Sequence, residues 1–225
     1  MRRISGILAS LAIVAAICTI FAAGAPARAD QMSLLSSSEA TVDNMKRDAT
    51  FGPSRDLLRR ARAVLIVPQL VKGGFIFGGE GGDGVMLART RRGWSSPAFY
   101  TIGSASFGLQ IGLESAQLVM FVMSDRALHA LEQSKFKFGG EAGLTVVTLG
   151  ANAQGATSTN LTGDIVIWAS SKGAYGGLTL EGSVLAPKDD WNSRFYGRPV
   201  SVPQILSNEA GNAAATPLRR DLTSL

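Results

Sequence analysis

Two periodicities divide the chain. Between residues 31 and 50 apolar side chains are sparse, and Val42, Met45 and Ala49 recur at helical spacing. Gly52-Pro53 breaks that element. Ser54 then suits the cap of a second short helix running to Arg62, with Asp56 in its first turn and Leu57, Leu58 and Ala61 along one side. From Ala63 the pattern shortens. Ala63-Val64-Leu65-Ile66-Val67 is a short β-branched run of the kind found in buried strands. Phe75–Phe77, Gly84–Ala88, Pro97–Thr101, Ser106–Leu113, Gln117–Met123, Phe136–Leu149, Asp164–Ala169 and Leu178–Leu185 continue as strands, with Arg91-Arg92-Gly93 as a turn signal. Ser124–Gln133 reads as an interior helix capped by Ser124 or Asp125. Ala151–Asn160 reads as a small-residue loop, and Pro203 opens a last short helix to about Ser207. Residues 208–225, rich in Ala and Asn and without periodicity, predict a flexible tail.

Short strands with frequent turn signals, and no regular alternation with long helices, predict an α+β, mostly β fold. The expected architecture is an antiparallel, glycine-rich roll or closed barrel with short N-terminal helices, one interior helix and a short C-terminal helix. The 26 glycines support this, because many fall inside strand-like runs, where glycine marks bulges, bends or close backbone approach. One domain over residues 30–207 is expected, with helices over 31–62 and a β core over 63–185.

The first residues change the charge argument. Met1-Arg2-Arg3, the apolar run Ile4–Ala23 and the small residues around Ala27-Arg28-Ala29 have the form of a secretory signal peptide cleaved near Ala29, which predicts a periplasmic or secreted domain of 196 residues. Cys18 leaves with it, so no disulfide or thiolate metal site is expected. The mature net charge falls from +5 to +2, which argues against a general nucleic-acid partner.

Gly78–Met86, GGEGGDGVM, fits the calcium nonapeptide pattern, but calcium nonapeptides work as stacked repeats and this one stands alone. Nor is it a Walker loop, since no lysine follows Gly84, or a dinucleotide loop, since a strand-like run follows instead of a helix. A strand packed too closely for side chains remains. No metal or other cofactor is expected. His129 stands without a nucleophile motif, so a hydrolase ranks below a binding module.

Five ordered segments carry a family resemblance: Val71–Gly78, Gly82–Leu87, Trp94–Phe99, Ser106–Gly112 and Gly176–Gly182, closed by Asn192 and Phe195-Tyr196-Gly197. Over about Leu57–Leu206 the chain resembles the SYLF, or Ysc-type actin-binding, domain. The resemblance implies lipid binding helped by an amphipathic N-terminal helix, and actin binding in a fungal member. Bacterial members are exported.

The residues offer their own reading of that function. Lys46, Arg47, Arg55, Arg59, Arg60 and Arg62 are interleaved with Leu57 and Leu58; Lys72 follows in the glycine-rich region, and Arg89, Arg91 and Arg92 cluster at a turn. Such a surface can meet the phosphates of an anionic phospholipid membrane while leucines enter the acyl boundary. The alternative is that the arginines are a solvated helix face and the leucines pack on the barrel. A protein-interaction module of the cell envelope or cytoskeleton, with actin as partner by family analogy alone, is the second functional reading.

Overall fold

The computed structural model describes residues 27–47, 51–74, 77–107, 112–133, 135–140, 144–149, 163–172, 180 and 182–224. Of the expected signal peptide, residues 1–29, the part through residue 26 lies outside them, as do the loop 151–160 and parts of the strands expected around residues 75, 110, 142 and 178. Helices α1 (Ala27–Arg47) and α2 (Phe51–Arg60) precede β1 (Ala63–Gly74), β2 (Phe77–Thr90), β3 (Gly93–Trp94), β4 (Ala98–Phe107) and β5 (Gly112–Val122). Then come α3 (Asp125–Glu132), β6 (Phe136–Lys137), β7 (Val146–Leu149), β8 (Ile165–Lys172) and β9 (Val184–Pro187). Helices α4 (Asp189–Tyr196), α5 (Val202–Leu206) and α6 (Thr216–Thr223) close the chain.

The strands form one curled sheet, a half-barrel in the order β6-β9-β4-β2-β1-β5-β8-β7, with β3 hydrogen-bonded to β2. Helix and strand content are about equal, and the architecture is roughly the α+β one expected. Pairing is antiparallel except for β7 on β8, which is parallel. The connection through residues 150–164 meets the dozen or so residues that a parallel crossover needs.

Both faces of the central strands are buried, which is why Ala63–Val67 reads as one unbroken apolar run. Ala63, Leu65 and Val67 enter one core with Met86, Tyr100, Leu118, Met120, Ile165 and Ile167, closed by Leu131 of α3 and Ile205 of α5. Val64 and Ile66 enter the other with Val85, Leu87, Phe99, Val119, Phe121 and Trp168, under Leu35, Val42 and Met45 of α1, Leu57 and Leu58 of α2, and Phe195 of α4. The strand period of two separates the two sets.

The 21 residues of α1 exceed what the apolar spacing predicts, because its buried face runs Gln31, Leu35, Ser38, Thr41, Val42 and Met45 and is polar at three of these positions. Ser38 satisfies its hydroxyl on the Leu34 carbonyl at 2.7 Å. The expected flexible tail is likewise part of the fold. Leu218 and Leu222 of α6 are buried, Arg219 Nε donates to the Trp94 carbonyl at 2.8 Å, and Asn212 Nδ2 donates to that of Phe195 at 2.8 Å. Two apolar side chains one turn apart are too short a stripe for periodicity to register; contacts distant in sequence order the segment.

Asp164 ties the β8 entrance to its neighbours. It accepts from Ser124 Oγ at 2.6 Å, Thr145 N at 3.0 Å and Arg126 Nη2 at 3.0 Å. The Ser124 hydroxyl, then the Thr145 amide, hold its carboxyl below the usual carboxylate range. A depressed folded pKa adds stability above the unfolded value of about 3.9, lost as pH falls through the folded pKa. The urea midpoint of Asp164→Ala is therefore expected to lie below that of the parent at pH 7, with the gap narrowing below pH 4; a gap independent of pH would contradict this.

Candidate functional site

The sequence-selected basic residues separate into groups once folded. Lys46 and Arg47 end α1, held by Asp43 at 3.3 Å and Asn44 at 2.7 Å. On α2, Arg55, Arg59 and Arg60 are exposed; Arg59 pairs with Asp56, and Arg60 Nε donates to the Asp56 carbonyl at 3.3 Å. Arg62 pairs with Asp125 at 3.2 Å. Lys72 lies far along β1, in register with Glu80 and Glu114, nine residues and so roughly 30 Å from Ala63. It does not join the arginines.

Leu57 and Leu58 require a correction. Each is 1% exposed and belongs to the helix-covered core. The solvent-facing side of α2 carries the arginines while its leucines complete the sheet packing. In this conformation no leucine of α2 is available to an acyl boundary.

Arg89 is exposed, but its guanidinium is tied to the end of α2. Its Nη2 donates to the Leu58 carbonyl at 2.7 Å and its Nε to that of Ala61 at 3.2 Å, satisfying carbonyls left open where α2 ends. Its guanidinium lies 4.3 Å from the centre of the Trp94 ring. Desolvation lowers its pKa from the usual arginine value, and it stays charged. The Arg89 backbone N–H donates to the Arg62 carbonyl at 2.7 Å, so β2, the end of α2 and the Arg62–Asp125 pair meet at one end of the sheet.

Arg91 and Arg92 project from the β2–β3 turn. Gly93 supplies a φ of 98°, and the Thr90 hydroxyl donates to its carbonyl at 2.8 Å while accepting from Arg92 N at 3.2 Å. Both side chains are exposed. Beside them opens a cleft of about 550 Å³, bounded by Arg89, Arg91 and Arg92 on one side, Leu128 and Glu132 of α3 on another, and Leu206 to Asn208 after α5 on the third. Burial raises the Glu132 carboxyl above the ordinary value, with His129 opposing. Arg89, Arg91 and Arg92 line the same cleft as Glu132, whose charge burial disfavours, so its basic excess suits an anionic group. Sequence reasoning found the arginine turn and missed Glu132, Leu206 and Asn208. The Ser201–Gln204 capping box locates α5 but does not reveal which turn it faces.

Among the described residues no three His, Cys, Asp or Glu side chains gather as a metal site. Glu80 and Asp83 of the glycine stretch are three apart in a regularly paired strand and point to opposite faces. The Glu80 carboxylate accepts from the Ser183 hydroxyl, and Asp83 pairs with Lys188 at 2.8 Å. His129 is exposed on α3, 3.9 Å from Glu132. Among the described residues no helix is long and apolar enough to cross a membrane.

Comparison with known proteins now adds identity to geometry. A family model described as Ysc84, a Las17-binding protein actin regulator, matches residues 103–225, from within β4 through α6. Protein YSC84 of Saccharomyces cerevisiae is 32% identical over 189 residues, 80% of this chain and 40% of that protein. LAS seventeen-binding protein 3 of the same species is 30% identical over 80% of this chain and 41% of its own length. SH3 domain-containing YSC84-like protein 1 of Rattus norvegicus is 32% identical over 67% of this chain and 45% of its own. The chain spans less than half the length of these relatives. With more than half of its residues covered by the family model, the chain belongs to the Ysc84, or SYLF, family.

Proposed function

We propose that this chain is an exported binding domain that engages anionic phospholipid surfaces through the arginine end of its sheet. The observation carrying the proposal is the meeting of exposed Arg91 and Arg92 with Arg89, Arg62 and the α2 arginines Arg59 and Arg60 around one cleft and one helix end. Because Leu57 and Leu58 are core residues, the contact is peripheral and electrostatic, without insertion. The basic start and apolar run before residue 24 support export.

A basic residue at an anionic surface contributes about 1 kcal/mol, so Arg91→Ala/Arg92→Ala should weaken vesicle binding roughly 30-fold. Co-sedimentation with phosphatidylserine-containing vesicles reads this directly. Binding should also fall steeply as salt rises. Equal recovery with anionic and neutral vesicles would reject the reading.

A protein-interaction module is the second reading, favoured by the family description as a Las17-binding actin regulator. Under that reading the purified domain would pull down a defined protein partner and leave anionic vesicles in the supernatant.

A further inference from the structure

A second groove lies on the helix-covered face, away from the arginines. Three strand rows that are apolar under the helices turn polar at the same level. On β5, Phe121 and Val119 give way to Gln117 and Ser115; on β8, Val166 and Trp168 give way to Ser170; on β2, Leu87 and Val85 give way to Asp83. At that level β1 bulges. Its pairing with β5 breaks between Val67 and Leu70, and its pairing with β2 breaks between Ile66 and Val71. Bulges of this kind re-aim a strand and are over-represented beside functional sites.

The bulge forms the floor of two adjoining clefts of about 310 and 410 Å³ that share Ser37, Pro68 and Gln69. The first is completed by Ser115, Gln117 and Ser170, the second by Ser33, Asp83 and Trp191. At the Trp191 wall, Gln31 is fully buried. Its Nε2 donates to the Trp191 carbonyl at 2.7 Å, and its Oε1 has no partner among the described residues.

We propose that this groove binds a neutral oligosaccharide. Serine hydroxyls and the Gln69 amide each offer a donor and an acceptor, as sugar hydroxyls require, while Gln117 is held in place by accepting from Asn44 Nδ2 at 3.1 Å and donating to Thr41 Oγ1 at 3.3 Å. Two clefts end to end suit a run of rings better than one small molecule. The half-buried Trp191 adds an apolar wall with a polar edge. Lys188 sits 3.3 Å from the centre of its ring while pairing with Asp83, so the wall is held in place. Among the described residues the charged side chains lining the groove are Asp30 and Asp83, the second neutralised by Lys188, so the lining presents no net positive charge to an anionic head group. An added peptide strand has no edge here, because β1 is paired on both sides. Gln69 lies six residues from Ala63, roughly 20 Å along the strand from the arginine end. The sugar site and the lipid surface are therefore separate and fail separately.

Isothermal titration of the purified chain with maltohexaose, cellohexaose and chitohexaose tests the proposal. Saturable binding of one hexasaccharide is expected. Ser37→Leu and Gln69→Ala, both at exposed positions, should each weaken it roughly tenfold, the loss of about one hydrogen-bonding group, with unfolding midpoints unchanged. Arg91→Ala/Arg92→Ala should leave it unaltered. Absence of saturable binding to all three sugars overturns the proposal, as does undiminished binding by both groove variants.

Discussion

Gly84→Ala is expected to cost about 3 kcal/mol of unfolding free energy, and Gly82→Ala at least as much. The reason is specific to their surroundings. A Cβ at Gly84 would stand 2.7 Å from the Ile66 carbonyl oxygen, and one at Gly82 would stand 2.4 Å from that of Gln69. Both obstacles are backbone of β1 at its bulge, so relief requires moving a strand paired on both sides. Gly81 supplies the control. Its Cβ would meet the Ile102 oxygen at 3.9 Å, an ordinary contact, and the position is exposed. Gly81→Ala should therefore be nearly neutral, or stabilise by about 0.5 kcal/mol through the lower entropy of the unfolded chain. Urea denaturation of the three variants reads the series. Equal losses at residues 81, 82 and 84 would mean that glycine content, and not close approach, sets the effect.

Asn192→Ala comes next, with an expected loss of about 3 kcal/mol. Asn192 is 0% exposed and sits on α4 against the edge of β4. Its Oδ1 accepts from Phe99 N at 2.8 Å, and its Nδ2 reaches the Phe99 carbonyl at 3.4 Å. The β4–β9 ladder's last pair is Tyr100↔Pro187; beyond it Lys188 N donates to the Phe99 carbonyl at 2.9 Å, while the Phe99 N–H meets the Asn192 side chain instead of a β9 carbonyl. The side-chain amide takes the place of the missing strand partner. Alanine would leave the Phe99 N–H buried and unpaired while opening a space beside Phe195 and Trp191, both packed edge-on against Phe99. Asn192→Asp keeps the acceptor and should recover part of the loss relative to alanine. A loss of 0.5 kcal/mol or less for alanine would show that the amide pair is not what closes this edge.

The glycine stretch shows how sequence and structure divide the explanation. Its nonapeptide match reflects composition. The fold uses these glycines to let β2 lie against a bulged β1, and the two carboxylates between them serve opposite faces, Glu80 toward Ser183 and Asp83 toward Lys188. None of these partners is near in sequence, so spacing alone could not assign them.

The basic region divides in the same way. Local chemistry marked Arg59, Arg60, Arg62, Arg89, Arg91 and Arg92 as candidates, since exposed arginines and a glycine turn are local signals. That Arg89 closes the end of α2, that Leu57 and Leu58 belong to the core, and that Lys72 lies at the other end of β1 are decided by packing. Glu132 and the Leu206–Asn208 wall reach the cleft across forty or more residues of chain from the arginine turn.

By itself the sequence determined the family, the buried character of β1, the Ser124-capped helix α3 and the arginine turn. Each is carried by residues adjacent in the chain or by an ordered motif series. The tertiary structure alone decided that the sheet is an open half-barrel with one parallel pair, that α1 packs through a half-polar stripe, that residues 216–223 form a docked helix, and that three strand rows turn polar together above the β1 bulge. Local pattern encodes which face of an element is apolar; it does not encode which other element covers that face, because the partner is chosen by long-range burial and hydrogen-bond satisfaction summed over the whole chain.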